Sequence, residues 1–230
     1  MSGVGTPIGG ARGLCVLALL CSAALPLTNT WAQTVGAQSF GLAVKTATVN
    51  TTSPLAVLPA GGGLASNTAP SVSVAGVAGA ENLFAIATGA GDQGPASKPD
   101  VSAESNSTAE NVNLLNGLIT ADGVVALASS SLTSTGANSN AEGSDLANLV
   151  VNGVAIASDV APNTQLDLPG VGYVILNEQR RTGDGVTTSG ITVNMIHVVL
   201  QQPILGLLGQ VIGYQTVGEI VVGSATSQVN

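Results

Sequence analysis

Residues 149–156 read LVVNGVAI: apolar arms on both sides of Asn152-Gly153. Asn-Gly tolerates the positive φ angles of a tight hairpin turn, so this stretch predicts two antiparallel strands. Related dipeptides recur at Asn116-Gly117, Asp122-Gly123 and Asp184-Gly185. Pro169-Gly170 supplies a further turn, between residues 166–168 and the strand candidate 173–176. Upstream, residues 39–49 (SFGLAVKTATV) alternate, with Phe40, Leu42 and Val44 on one face and Lys45 on the other. The apolar run 55–58 stops at Pro59 and Gly61-Gly62-Gly63, residues 70–77 alternate again, and 83–88 (LFAIAT) is another strand candidate. Downstream, 191–200 (ITVNMIHVVL) is the longest strongly apolar strand candidate, and 219–225 closes the series. Only 203–212 (PILGLLGQVI) offers a helical reading, weakened by Gly206 and Gly209. Roughly ten short strands at regular turn spacing predict an all-β fold, an antiparallel sandwich or barrel. A β-solenoid is the alternative, and the absence of a fixed repeat period counts against it.

Composition agrees. The chain has 230 residues, enough for one ordinary domain with a core. Apolar residues make up 45%, yet aromatics only 2%, so the core is built from Val, Leu, Ile and Ala. At 8% charged residues, Ser, Thr, Asn and Gly carry the surface, which suits strands better than amphipathic helices. The net charge of −8 argues against nucleic acid and against electrostatic docking on anionic lipid.

Residues 1–32 read as a signal peptide. Arg12 ends the n-region, 14–27 (LCVLALLCSAALPL) is the apolar h-region, and Thr30-Trp31-Ala32 has small residues where signal peptidase requires them. Cleavage is expected after Ala32, leaving 33–230 as a single all-β domain of which 33–100 is the less clearly patterned part. Both cysteines, Cys15 and Cys21, leave with the signal, so the mature chain has no disulfide, thiolate nucleophile or cysteine metal site. Leu20 before Cys21 disfavours a lipobox. Loss of Arg12 leaves four basic residues against 13 acidic ones, a net charge of −9. No later run is long enough for a transmembrane helix.

Five stretches together carry a resemblance: 113–122 (NLLNGLITAD), 148–153 (NLVVNG), 161–179 (APNTQLDLPGVGYVILNEQ), 188–200 (TSGITVNMIHVVL) and 218–227 (GEIVVGSATS). In combination they resemble the choice-of-anchor P family, from about residue 102 onward. The resemblance implies a secreted or surface-displayed bacterial β-domain with no assigned activity. The family is named for varied C-terminal sorting signals, and this chain departs there, since SATSQVN carries neither an apolar tail nor a basic cluster. The sortase-like string 168–172 (LPGVG) lies deep inside the chain and reads as a turn. Free secretion or a non-covalent hold on the envelope is expected.

Candidate chemistry is thin. Gly89, Gly91 and Gly94 match a dinucleotide fingerprint, but Pro95 and Pro99 follow where the motif needs a helix, so a loop is expected. His197 is the only histidine and any Ser-His-Asp triad must use it. It shares strand parity with Ile191, Val193, Met195 and Val199, which points to a structural role near an apolar face. A lone histidine without cysteine disfavours zinc. Asp92, Asp100, Glu142 and Asp184 lie in expected loops and are the candidates for calcium, against a reading as solvated surface acids. Asn50-x-Thr52 and Asn106-x-Thr108 match the glycosylation pattern. No residue is assigned a catalytic, cofactor-binding or metal-ligating role. The expected function is a non-enzymatic structural or interaction protein of the bacterial exterior, presenting sheet edges or loops to a partner or to copies of itself. An extracellular glycan-binding module, with or without calcium, is the alternative, and a hydrolase using His197 is third.

Overall fold

The computed structural model describes residues 34–90 and 100–230. The expected signal segment with Cys15 and Cys21, and Gly91, Asp92, Gly94 and Pro95, lie outside the described residues. Among the described residues, fourteen strands run in chain order. They are β1 (Val35–Thr46), β2 (Asn50–Val57), β3 (Gly63–Val74), β4 (Ala78–Ala90), β5 (Val101–Leu114), β6 (Ile119–Thr133), β7 (Gly136–Asn140), β8 (Asp145–Ala147), β9 (Val150–Val151), β10 (Val154–Ala155), β11 (Thr164–Leu168), β12 (Gly172–Gly183), β13 (Ser189–Leu205) and β14 (Val211–Val229). No helix among the described residues is long and apolar enough to cross a membrane.

The strands form two antiparallel sheets. One has the order β11-β12-β13-β14-β1-β2. The other has the order β10-β9-β6-β5-β4-β3, with β7 and β8 pairing other stretches of β6. Neither closes on itself, so the architecture is a sandwich and the barrel alternative falls away. The strands are also longer than their apolar runs: β13 has 17 residues and β14 has 19.

Turn chemistry explains which dipeptides end strands. Asn152 (φ 50°) and Gly153 (φ 77°) join β9 to β10, with Val151 opposite Val154. At the β5–β6 hairpin, Leu115, Asn116 and Gly117 all have positive φ, and Leu114 pairs with Ile119. That turn leaves Asp122-Gly123 inside β6, where a second turn was expected; Gly123 sits opposite Glu110 and Ala147. The helical reading of 203–212 is also overturned. Gly206 and Gly209 make a turn instead, in which the N–H of Gly206 donates to Gln210 O at 2.8 Å. The β-branched and leucine residues on either side then pair across it as the ends of β13 and β14.

The core lies between the sheets. Leu42, Val44, Ile196, Val198, Ile220 and Val222 from one sheet meet Leu83, Leu114, Ile119, Val124 and Leu146 from the other in one buried cluster. Residues before and after position 100 therefore share one core. A second cluster is mostly alanine: Ala37, Ala56, Ala85, Ala87, Ala103 and Ala137, with Val101, Leu132 and few others. Side chains this small let the sheets approach until hydroxyls cross the gap. Ser39 Oγ donates to Ile86 O and Ser105 Oγ to Thr226 O, each at 2.9 Å. Ser130 Oγ lies 2.7 Å from Ser227 Oγ and 2.9 Å from Ser139 Oγ, which is 2.6 Å from Ser189 Oγ. A narrow, small-residue core is how a chain with 2% aromatics fills a sandwich.

Alternation in the six-stranded sheet reverses once. In β14, Ile220 and Val222 face the core above the reversal and Ala225 and Ser227 below it. In β13, Val198 and Ile196 face the core, then Met195, Val193 and Ile191. In β1 the break falls between Leu42 and Ser39. The register places Asn177, Met195, Gly223 and Gly41 at one level, between the row Leu176–Ile196–Val222–Leu42 and the row Glu178–Asn194–Ser224–Phe40. Asn177 (φ 49°) and Gly223 (φ 65°) twist the backbone at this level while the register stays in step on either side. Phe40 is consequently on the face opposite Leu42 and Val44, not with them, because strict period-two alternation does not survive Gly41.

Candidate functional site

The reversal places polar side chains together on the outer face of the six-stranded sheet. Glu178 on β12, Asn194 and His197 on β13 and Ser224 on β14 form one hydrogen-bonded chain. His197 Nδ1 lies 2.9 Å from Glu178 Oε2, and Asn194 Nδ2 donates to the same oxygen at 2.7 Å. Ser224 Oγ donates to Asn194 Oδ1 at 2.7 Å. Arg180 donates to Glu178 Oε1 through Nε at 3.0 Å and Nη2 at 2.6 Å. The side chains of Glu178 and His197 are only 5% and 10% exposed, whereas that of Arg180 is 69% exposed. Ile175 and Val221 flank His197 in register on the neighbouring strands. His197 therefore does sit in apolar surroundings, but on the face opposite Ile191 and Val193, because the reversal breaks the expected parity.

Burial pushes the Glu178 carboxyl up. Hydrogen bonds from Asn194 and Arg180, and the charge and hydrogen bond of His197, outweigh that and hold it below the ordinary carboxylate range. The carboxylate fixes the imidazole through Nδ1. Nε2 is buried and has no hydrogen-bond partner. Ser224 donates its proton to Asn194 Oδ1, whereas a Ser-His-Glu relay needs the hydroxyl on Nε2. The hydrogen bonds orient the imidazole and the carboxylate against each other.

The loop acids stay apart. Asp184 caps its own loop: Oδ1 accepts the N–H groups of Val186, Thr187 and Thr188 at 2.9, 2.8 and 2.9 Å, and Oδ2 accepts Thr187 Oγ1 at 2.7 Å. The Thr188 and Val186 N–H groups, with the Thr187 hydroxyl and N–H, hold that carboxyl far below the usual range. Glu142 and Asp100 are exposed. Among the described residues, no group of three His, Cys, Asp or Glu side chains is placed to hold a metal ion. Gly89 ends within β4, and a Cβ there would meet Leu58 Cδ2 at 2.5 Å, so close packing against Leu58 accounts for this glycine. The LPGVG string forms the β11–β12 turn, closed by the Val171 N–H on Leu168 O at 2.9 Å. Asn50 and Thr52 lie on β2, and Asn106 and Thr108 on β5.

The largest exposed apolar feature was not read from the sequence as such. Beyond Leu200 and Gly218, the last residues of β13 and β14 with partners on β12 and β1, the hairpin continues alone as a two-stranded arm. Ile204, Leu205, Leu207, Leu208, Val211, Ile212, Tyr214 and Val217 are all exposed along it. Leu207 and Leu208 at its tip are essentially fully exposed, and Tyr214 is 64% exposed. No Asp, Glu, Lys or Arg occurs from Val198 to Gly218. A groove of about 560 Å³ runs between the arm and the β11–β12 turn, lined by Leu168, Pro169, Val171, Pro203, Val211 and Tyr214 among others. The readable signal was this charge-free interval, which the helical reading obscured. Compared with known proteins, the chain matches no family model, no curated protein and no solved structure.

Proposed function

We propose that this chain is an exported, non-enzymatic structural or interaction protein of the bacterial exterior whose contact surface is the β13–β14 arm. The observation that carries this reading is the exposure of eight large apolar side chains on an arm without a charge. Isolated two-stranded ribbons are marginal in water, and contiguous apolar patches on soluble proteins mark contact sites. Export is supported by the signal-like residues 1–32, and a surface-displayed β-domain by the resemblance to the choice-of-anchor P family. The His197–Glu178 cluster serves the scaffold: it ties three strands together on the outer face of the sheet that carries the arm.

The test is site-specific photo-crosslinking in the bacterium that expresses the protein. A photoreactive residue at Leu208 is expected to give a discrete adduct, and one at exposed Glu104 on β5 to give none. Equal labelling from both sites, or none from Leu208, would overturn the reading of the arm.

A further inference from the structure

We propose that the partner of the arm is a second copy of this chain, added edge to edge along residues 211–217 of β14. This rests on the reading of the arm as the contact surface and names what covers it.

The main chain supplies the first argument. The N–H of Gln201 donates to Val171 O at 2.7 Å, away from β14. Gln201 and Thr216, which face each other, are therefore a pair that direct their amides outward rather than toward one another. Two residues along the ribbon, Pro203 and Tyr214 repeat that geometry. The two edges of the arm then differ. On the β13 edge, the outward position is Pro203, which has no N–H to give and blocks strand addition. On the β14 edge, Tyr214 and Thr216 turn outward both an N–H and a C=O, and residues 211–217 contain no proline and no charge. One edge is guarded and the other is open.

A twofold axis through Tyr214 satisfies the open edge. Antiparallel addition of 211–217 to itself pairs Tyr214 with its own counterpart and sets Thr216 of each copy against Ile212 of the other. The arms become one four-stranded sheet. This contact is isologous, so it closes at a dimer.

Four exposed apolar side chains, Val211, Ile212, Tyr214 and Val217, lie on the open strand itself. Two chains of net charge −8 repel wherever acidic surfaces meet. The arm reaches roughly 17 Å beyond the sandwich at about 3.4 Å per residue, more than a Debye length in physiological salt. The open edge itself carries no carboxylate; Glu219 follows at its base, and Asp167 lines the groove on the β13 side. A lipid bilayer is the competing partner for an apolar tip, but lipid offers no donors or acceptors for the outward amides of Tyr214 and Thr216.

The experiment is oxidative crosslinking of purified Tyr214→Cys protein, with wild type in parallel to account for Cys15 and Cys21. Hydrogen-bonded antiparallel partners lie about 5.5 Å apart at Cα, within disulfide range. A disulfide dimer is expected from Tyr214→Cys and not from wild type. Thr216→Pro, which gives the β14 edge the same block that Pro203 gives the β13 edge, is expected to weaken dimerisation about tenfold or more while the fold persists by circular dichroism. Flotation with phosphatidylcholine vesicles runs alongside. No crosslink at Tyr214, with or without vesicle binding, overturns self-pairing. Adducts at Leu208 in cells would still uphold the arm as a contact surface, so the two readings fail separately.

Discussion

His197 Nδ1 lies 2.9 Å from Glu178 Oε2 on a sheet face turned away from the core, and the same oxygen accepts Asn194 Nδ2 at 2.7 Å. One carboxylate thus holds two side chains of the neighbouring strand. Its folded-state affinity for protons is below the ordinary one, so the stabilisation it gives is present above the unfolded value of 4.5 and is lost as pH falls below that through the lower folded value. Glu178→Ala is expected to cost about 1–3 kcal/mol at neutral pH, because it leaves buried donors unpaired. The gap to wild type is expected to narrow in acid as the wild-type carboxylate is protonated. Urea unfolding at neutral pH and in acid checks this, and an equal gap in both would contradict it. Arg180→Ala is expected to cost under about 1 kcal/mol, since its guanidinium is mostly in solvent.

Asp184 makes a separate prediction of the same sign. Its carboxylate organises the β12–β13 loop by accepting three consecutive N–H groups. Because that carboxyl is held below its usual range, the loop order persists well below pH 4 and is lost only in stronger acid. Asp184→Ala is expected to speed amide exchange at Val186, Thr187 and Thr188 while leaving β13 protected. Unchanged exchange at those three amides would show that the carboxylate does not organise the loop.

Gly223 is expected to resist substitution. Its φ of 65° disfavours a side chain, and a Cβ would meet Val124 Cγ1 at 2.6 Å across the sheets. Gly223→Ala combines backbone strain with overpacking, each of which costs about 1–3 kcal/mol. Gly153→Ala shares the positive φ but meets nothing within 4 Å, so it is expected to cost less. Thermal unfolding of the two variants separates the contributions.

Much of this fold was legible, and the misses have physical causes. Asn152-Gly153 and Asn116-Gly117 mark turns because both residues of each pair take positive φ. Asp122-Gly123 misled because the neighbouring turn at 115–118 had already reversed the chain. Phe40 and His197 were assigned by strict alternation, and the reversal at Gly41, Met195 and Gly223 moved both to the outer face. Glu178 was missed for the same reason: its role depends on Asn194 and His197 arriving opposite it from another strand. The arm was hidden because residues 203–212 are apolar without strand alternation, and their exposure follows from where β12 and β1 stop, which no local pattern reveals.

The most direct test of the arm as a self-pairing surface is molar mass by light scattering across a wide concentration range, for wild type beside the Thr216→Pro variant. Proline there removes an N–H from the stretch of β14 that has no partner on β1. Wild type is expected to rise from monomer to dimer mass with concentration while Thr216→Pro lags well behind. A wild-type mass that stays monomeric throughout would contradict self-pairing along 211–217.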